Sequence, residues 1–213
     1  MGAYAAYLLV RRRVWHDGGR EQALRNAQRV VAFERRWHLH IEPHVHHAAV
    51  RLPRLVRVLN ASYVVCTVGL TVGWLVGLHG RGDRDFRAER IAAVLAFIGA
   101  LPAFATFPTA PPRRLDGFVD TMATRGAGLD HPVLVRFYNP VAAVPSIHVA
   151  LAVVTGLGLS RRARGPLRRM TWRSYPAAVA LVVIATANHF VVDVLAGAAL
   201  GAAASGMTRS LPR

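Results

Sequence analysis

The chain of 213 residues has one cysteine, Cys66, set inside an apolar run. An intramolecular disulfide is therefore excluded, and a buried packing thiol is expected. Acidic residues are also scarce: 11 stand against 27 basic ones, so 27 − 11 leaves +16 with histidine neutral. Lysine is absent and every basic residue is arginine, a bias that fits GC-rich codons and says little about mechanism. Charged residues make up only 18% and hydrophobic ones 53%, which excludes a disordered chain. Aromatic residues are sparse among the basic runs, and those runs alternate with apolar stretches instead of lining one soluble face. Both facts argue against a nucleic-acid binder. Residues 1–10 are apolar but lack a basic leader and a clear cleavage site, so no cleavable signal peptide is read there. The sequence carries no internal repeat and no low-complexity segment.

What is there is apolar bulk with surplus positive charge, the pattern of a bacterial-type membrane protein whose cationic loops flank apolar spans. A helix needs about 20 apolar residues to cross a bilayer. Residues 59–80 and 91–112 are uncharged, and 137–160 carry no candidate charge but His148. Residues 174–208 hold His189 and Asp193 and read as two short spans with a turn near Asn188. The expected fold is all-α: a polytopic integral membrane helical bundle of five to six transmembrane helices, with residues 1–10 either a short anchor or part of a further span. Residues 11–60 are rich in arginine and histidine, with Ala27, Val30, Val31 and Phe33 interspersed, and are interrupted at Pro43 and Pro53. They read as an amphipathic interfacial segment. The expected organisation is an anchor and interfacial region over 1–58, a transmembrane catalytic core over 59–208 and a cytoplasmic tail over 209–213.

Arginine placement sets the expected orientation. Residues 161–173 hold six arginines and no acid, and residues 81–90 hold four arginines with Asp83, Asp85 and Glu89. Both loops are placed in the cytoplasm. Alternation then puts residues 110–137, the start of the His148 span and the Asn188 turn on the outer face of the plasma membrane. It also puts the basic segment 11–60 outside, where the charge rule and the alternation disagree.

Ionisable residues at membrane depth are costly and are functional candidates by default. Three features converge on the outer face: Pro108-Thr-Ala-Pro-Pro-Arg113-Arg114, Pro145-Ser146-Ile-His148, and Asn188-His189-Phe-Val-Val-Asp193. His189 and Asp193 are four apart and would share a helix face. A carboxylate there fixes the imidazole tautomer and raises its basicity, so that the ring can act as nucleophile or base. Ser146 and His148 stand at a proline-initiated helix start suited to an anion, and Arg113 and Arg114 supply guanidinium groups for phosphate oxygens. Each feature alone has a structural account, as cap, packed residue or interfacial anchor. Together they suggest phosphoryl transfer through a phosphohistidine, with no metal or cofactor required.

These motifs resemble the type 2 phosphatidic acid phosphatase superfamily, whose pattern joins a basic-proline motif, a Pro-Ser-x-His motif and a His-x3-Asp motif. The nearest branch looks like bacterial proteins related to inositol phosphorylceramide synthases, with Pro108-Thr-Ala-Pro-Pro-Arg113, Asn188-His-Phe-Val-Val-Asp193 and an upstream Phe33-Glu34-Arg35-Arg36 through Glu42-Pro43. The resemblance covers about residues 20–206. It implies that His189 attacks phosphorus and that Asp193 orients it. His148 would protonate the leaving group and then activate water or an acceptor hydroxyl, while Arg113, with Arg114, and Ser146 would hold phosphate oxygens. Two phosphate-binding cations of the classical family are missing, at Thr106 and Val183; replacements could come from Arg114, Arg125, Arg136 or the Arg35–Arg36 region.

The implied partners are a membrane lipid phosphate and the bilayer. Lipid phosphate hydrolysis and transfer of a phospho-head-group to a lipid hydroxyl, of the inositol phosphate type, share the first half-reaction. A catalytically weak phospholipid-binding or transporting protein is the alternative of another class. The cluster His38, His40, His44, His46 and His47 reads as a partly solvated interfacial segment in preference to a metal site, because its spacing is irregular and Pro43 interrupts it. Asp116, Asp120 and Asp130 read as solvated loop acids. Gly197 and Gly201 among alanines read as a close-packing helix face.

Overall fold

The computed structural model describes residues 2–123 and 134–209. The Cys66 side chain, Arg125, Asp130 and residues 210–213 lie outside the described residues. Among the described residues the chain is all-α, with ten α-helices and no strand. They are α1 (Gly2–Val14), α2 (Asp17–Arg36), α3 (Glu42–Val50), α4 (Pro53–Ala61), α5 (Thr67–Gly80), α6 (Phe86–Gly99), α7 (Leu101–Thr106), α8 (Ile147–Arg162), α9 (Pro166–Ala185) and α10 (Val191–Met207). A π-helical turn, Ser62–Cys66, joins α4 to α5.

Helix α8 is the axis of the bundle and packs against α5, α6, α9 and α10. Close approach is made by glycines. A Cβ at Gly197 or Gly201 of α10 would sit 2.3 Å from the carbonyl oxygen of Ser146 or Ala150, and one at Gly156 would sit 2.6 Å from that of Trp172. The small-residue face of α10 therefore carries the α8 contact, as its spacing predicts. Polar pairing occurs inside, where Thr71 and Thr155 share a buried hydrogen bond of 2.8 Å. Apolar side chains face outward instead: Val72 and Val76 of α5, Val94 and Ile98 of α6, Leu181 of α9 and Leu195 of α10 are exposed.

The helix boundaries differ from the expected spans. Phe86–Thr106, α6 and α7 together, is the one stretch among the described residues long and apolar enough by itself to cross a membrane. Residues 137–146 are loop, leaving α8 with 16 residues, about 24 Å at 1.5 Å per residue against a core of about 30 Å. The basic stretch 161–173 is not one loop, because α9 begins at Pro166, where proline serves as a first-turn residue. At this end Arg161 reaches Glu89 at 2.7 Å, and Arg162 holds Asp83 at 2.6 Å and Asp85 at 2.7 Å. The hydrogen bonds from Arg162 keep the Asp83 carboxyl well below the usual range, at about 2.

The N-terminal segment is more ordered than a partly solvated surface piece. Helix α2 buries Ala23, Asn26, Ala27, Val30 and Glu34 at helical spacing and leaves Arg20, Arg25, Arg29, Arg35 and Arg36 exposed. It lies over the end of the bundle that carries the three motifs: the Ala110 N–H donates to Ala23 O at 3.0 Å, and the Asn26 amide donates to Pro108 O at 2.8 Å. Pro43 and Pro53 do not interrupt helices but start α3 and α4. His46 is fully buried, with Nδ1 bonded to Ala185 O at 2.9 Å and Nε2 accepting the Val119 N–H at 3.1 Å. Burial lowers its pKa, and that bonding pattern suits a neutral ring.

Candidate active site

Three loops meet at one end of the bundle and are fastened by main-chain hydrogen bonds. Thr109 N donates to Val141 O at 2.8 Å and Ala143 N to Thr109 O at 3.1 Å. Arg113 N donates to Ala187 O and Ser146 N to Asp193 O, each at 2.9 Å. Each of the three sequence features is thus bonded into a neighbouring loop. The α9–α10 turn is a Schellman closure, with Asn188 N on Val183 O and Ala187 N on Ile184 O, both 2.9 Å. Ala187 takes φ +53° there, a left-handed conformation that glycine would adopt without strain.

His189 is nearly fully buried and sits just ahead of α10. Its Nδ1 lies 3.0 Å from Ala143 O and 3.2 Å from Asp193 Oδ2. Both neighbours are acceptors, so Nδ1 carries the proton and Nε2 keeps its lone pair. The Asp193 contact is not made along a helix face. Asp193 is the third residue of α10, and its Oδ2 also accepts the Phe190 N–H at 2.9 Å, so one carboxylate oxygen both caps the helix and holds the ring.

Nε2 of His189 faces His148, whose Nδ1 is 3.3 Å away. The His148 ring rests on Tyr63, centroids 4.6 Å apart. Arg113, buried, bonds the Asn188 side-chain oxygen through Nη1 and approaches Asp120 with Nε at 3.5 Å. His189, His148, Arg113 and Asn188 line a cavity of about 440 Å³, walled mainly by aromatic and apolar groups including Tyr4, Tyr7, Tyr63, Phe97 and Phe137.

Of the expected site residues, His189, His148, Asp193 and Arg113 come together. Ser146 is buried as the N-cap of α8, its Oγ accepting from Val149 N at 3.4 Å. Arg114 turns away: its guanidinium stacks over Trp15 at 5.6 Å and lines a second cavity with Arg35, His40 and His47. Among the described residues, Arg113 is the one arginine lining the histidine cavity. Thr106 is exposed and bonds Pro102 O, while Val183 is buried in the α8–α9 packing, and Arg136 is exposed. Asp120 is no free loop acid, since its Oδ1 accepts from Met122 N and Ala123 N at 3.0 and 2.9 Å.

Sequence reasoning missed the support beneath His189. The free N–H groups at the start of α10 are met from the N-terminal segment: Val191 N donates to Glu42 Oε1 at 2.6 Å and Val192 N to Glu34 Oε1 at 2.8 Å. Both carboxyls are fully buried and lie at the positive end of the helix dipole. Burial pushes the Glu34 carboxyl up to about 9; the Val192 N–H opposes the rise and Glu42 adds to it. A signal was available in the sequence, because Glu34 falls on the apolar face Ala23, Ala27, Val30 of an amphipathic helix. His40 stands beside the two carboxyls, and the three residues bring metal-ligand atoms within 4.8 Å of one another.

The family model described as PAP2 superfamily matches residues 28–207. Comparison with curated proteins and comparison with solved structures each give no match.

Proposed function

The chain belongs to the PAP2 superfamily, and from that premise we propose that it is a polytopic membrane enzyme moving a phosphoryl-containing group from a lipid through a phosphohistidine on His189. Membership supports phosphoric ester hydrolase or phosphotransferase activity. The observation that carries the mechanism is the pair of acceptors on His189 Nδ1, Ala143 O and Asp193 Oδ2, which leaves Nε2 as the free base on the cavity side. Nε2 attacks phosphorus, the bond to the leaving alkoxide breaks, and Asp193 stabilises the positive charge that the ring acquires. His148 gives its proton to the alkoxide, then takes one from the second acceptor as that oxygen displaces His189. Arg113, oriented by Asn188 and Asp120, holds the equatorial oxygens. No metal takes part in these steps.

In-line transfer needs phosphorus about 3 Å from the nucleophile with the proton donor beyond the leaving oxygen, so the two ring nitrogens must stand about 6–7 Å apart. At 3.3 Å they are too close, so substrate entry swings His148 off His189. The aromatic walls fit an acyl or prenyl chain. The outward-facing valines and leucines support a bilayer setting, with residues 53–80, α6–α7, α8, α9 and α10 as the crossing elements and α2–α3 on the interface. The arginine-rich ends of α6, α8 and α9 then face the cytoplasm and the site faces out. Within the superfamily, Pro108-Thr-Ala-Pro-Pro-Arg113 and, among the described residues, a single cavity arginine favour the synthase-like branch, in which a lipid hydroxyl replaces water as acceptor.

The test is to incubate the purified protein in detergent with labelled polyprenyl phosphate, phosphatidate and phosphatidylinositol, beside His189→Ala and His148→Ala. Free phosphate identifies hydrolysis and a new labelled lipid identifies transfer. Turnover that persists in both variants would sink the mechanism, and absence of turnover on every substrate would leave phospholipid binding as the activity. Sidedness is read with Arg164→Cys in a Cys66→Ala background: the thiol is expected to resist impermeant reagents in intact cells, and labelling would invert the orientation.

A further inference from the structure

The two buried carboxyls that hold α10 each use only one oxygen for that purpose. Oε1 of Glu42 and Oε1 of Glu34 accept from the α10 backbone. The second oxygens, Glu34 Oε2 and Glu42 Oε2, are buried without a hydrogen bond, and so is His40 Nδ1. The three atoms face one another: His40 Nδ1 lies 3.1 Å from Glu42 Oε2 and 3.5 Å from Glu34 Oε2, and all are mutually within 4.8 Å. Tetrahedral ligands on a first-row ion at bond lengths near 2.0–2.1 Å stand about 3.3 Å apart. The Glu34 and Glu42 side chains are 0% exposed, so with no cation between them the two facing carboxyls cannot both stay ionised.

We propose that Glu34, His40 and Glu42 form a binding site for a divalent transition-metal ion, with Zn²⁺ the best fit, which fastens the α2–α3 junction to the start of α10. Imidazole with two carboxylates selects Zn²⁺ or Mn²⁺ over Mg²⁺, which favours all-oxygen octahedral sites and keeps its waters. The Val191 and Val192 N–H groups form the outer shell that aims each carboxylate, the usual arrangement around a ligating carboxylate. Three protein ligands leave a fourth position for water, and His40 lines the second cavity, which gives the ion a route in. His44 and His47, exposed on α3, take no part; His47 bonds Gly117 O instead. The site is separate from the reacting histidines and stands whether or not the phosphohistidine chemistry holds.

The test uses full-length protein in detergent with any polyhistidine tag removed. The protein is stripped with chelator, reloaded with Zn²⁺, Mn²⁺ or Mg²⁺, and desalted, and its metal content is measured by elemental analysis. Wild type is expected to retain about one Zn²⁺ per chain and little Mg²⁺. At a hundredfold excess over the dissociation constant, Zn²⁺ should raise the melting temperature by about 5–10 °C. Glu34→Gln keeps an oxygen for Val192 N–H but removes the ligand oxygen, and His40→Ala removes the third ligand without touching the α10 backbone. Both should fall to background, while His44→Ala retains the ion. Should Glu34→Gln fail to fold, His40→Ala decides alone. Background Zn²⁺ in wild type, or equal Zn²⁺ in wild type and His40→Ala, would overturn the proposal.

Discussion

Replacing Asp193 by asparagine separates two roles that one carboxylate combines. Oδ2 of Asp193 accepts from Phe190 N at 2.9 Å and from His189 Nδ1 at 3.2 Å, while Oδ1 is buried without a hydrogen bond. An asparagine oxygen can keep both contacts, with its NH2 in the place of Oδ1. The flipped amide would cost the Phe190 N–H its acceptor, so the unflipped form is favoured and the fold is retained. What is lost is the charge. A hydrogen bond to a charged group is worth about 1.5–3 kcal/mol, and each 1.36 kcal/mol is tenfold in rate, so kcat/KM should fall by about 10- to 150-fold. Where a carboxylate alone fixes the histidine tautomer, the same change costs about 10⁴-fold. Here Ala143 O, 3.0 Å from Nδ1, holds the tautomer independently, and the smaller loss follows. The assay is steady-state turnover of a short-chain lipid phosphate in micelles, with melting temperature as the check on folding. A loss of about 10⁴-fold in a folded variant would refute the role given to Ala143. A loss of under about threefold, well short of one such hydrogen bond, would refute the assistance given by Asp193.

Three further outcomes follow from the packing and the charges. Gly197→Ala places a Cβ 2.3 Å from Ser146 O, an overpacking worth about 1–3 kcal/mol; the melting temperature should drop by several degrees, and no change would refute the close approach of α10 to α8. Arg113→Lys loses the planar fork that meets Asn188 and Asp120 together, so kcat/KM should fall about 10- to 100-fold with lysine giving little rescue. The same change at Arg114 should cost far less, because that side chain lines the other cavity. The Asp83 carboxyl is held at about 2 by Arg162. A depressed carboxyl contributes stability that is fully present above its unfolded value, near 3.9, and is lost as pH falls through the folded one. The melting-temperature gap between wild type and Asp83→Asn should therefore stay constant from pH 7 to about pH 4 and close toward pH 2; a gap that closes near pH 5 would refute the pairing.

How much was legible in the sequence depended on whether the signal was local. The turn near Asn188, the small-residue face of Gly197 and Gly201, and the all-α class follow from runs and spacings within one segment, and the helices meet those expectations. Span boundaries did not follow, because hydropathy does not distinguish an apolar loop from an apolar helix. Residues 137–146 are uncharged but hold Pro140 and Pro145, and they form the loop that gives His189 its Ala143 carbonyl. The grouping of His148, His189, Asp193 and Arg113 was legible because each lies in a short motif at a helix end. The contact between the histidine rings was not, since it depends on how α8 and α10 cross.

The buried carboxyls fix where the basic N-terminal segment lies. The charge rule assigns a segment with that many arginines to the cytoplasmic side, against the alternation of the spans. In the fold Arg20, Arg25, Arg29, Arg35 and Arg36 occupy the outer face of α2, while Ala23, Asn26 and Glu34 on the inner face bond to the segment at 108–110 and to the start of α10. An isolated loop chooses its side by charge, but a helix bonded into the motif-bearing end must lie on the side where that end lies. Because Glu34 and Glu42 take up N–H groups that α10 would otherwise leave unmet two and three residues beyond His189, moving α2 and α3 elsewhere would unseat the same helix start that carries Asp193. The position of the segment is therefore set by four buried side chains, Asn26, Glu34, Glu42 and His46, and the arginine count on its outer face carries little weight against them.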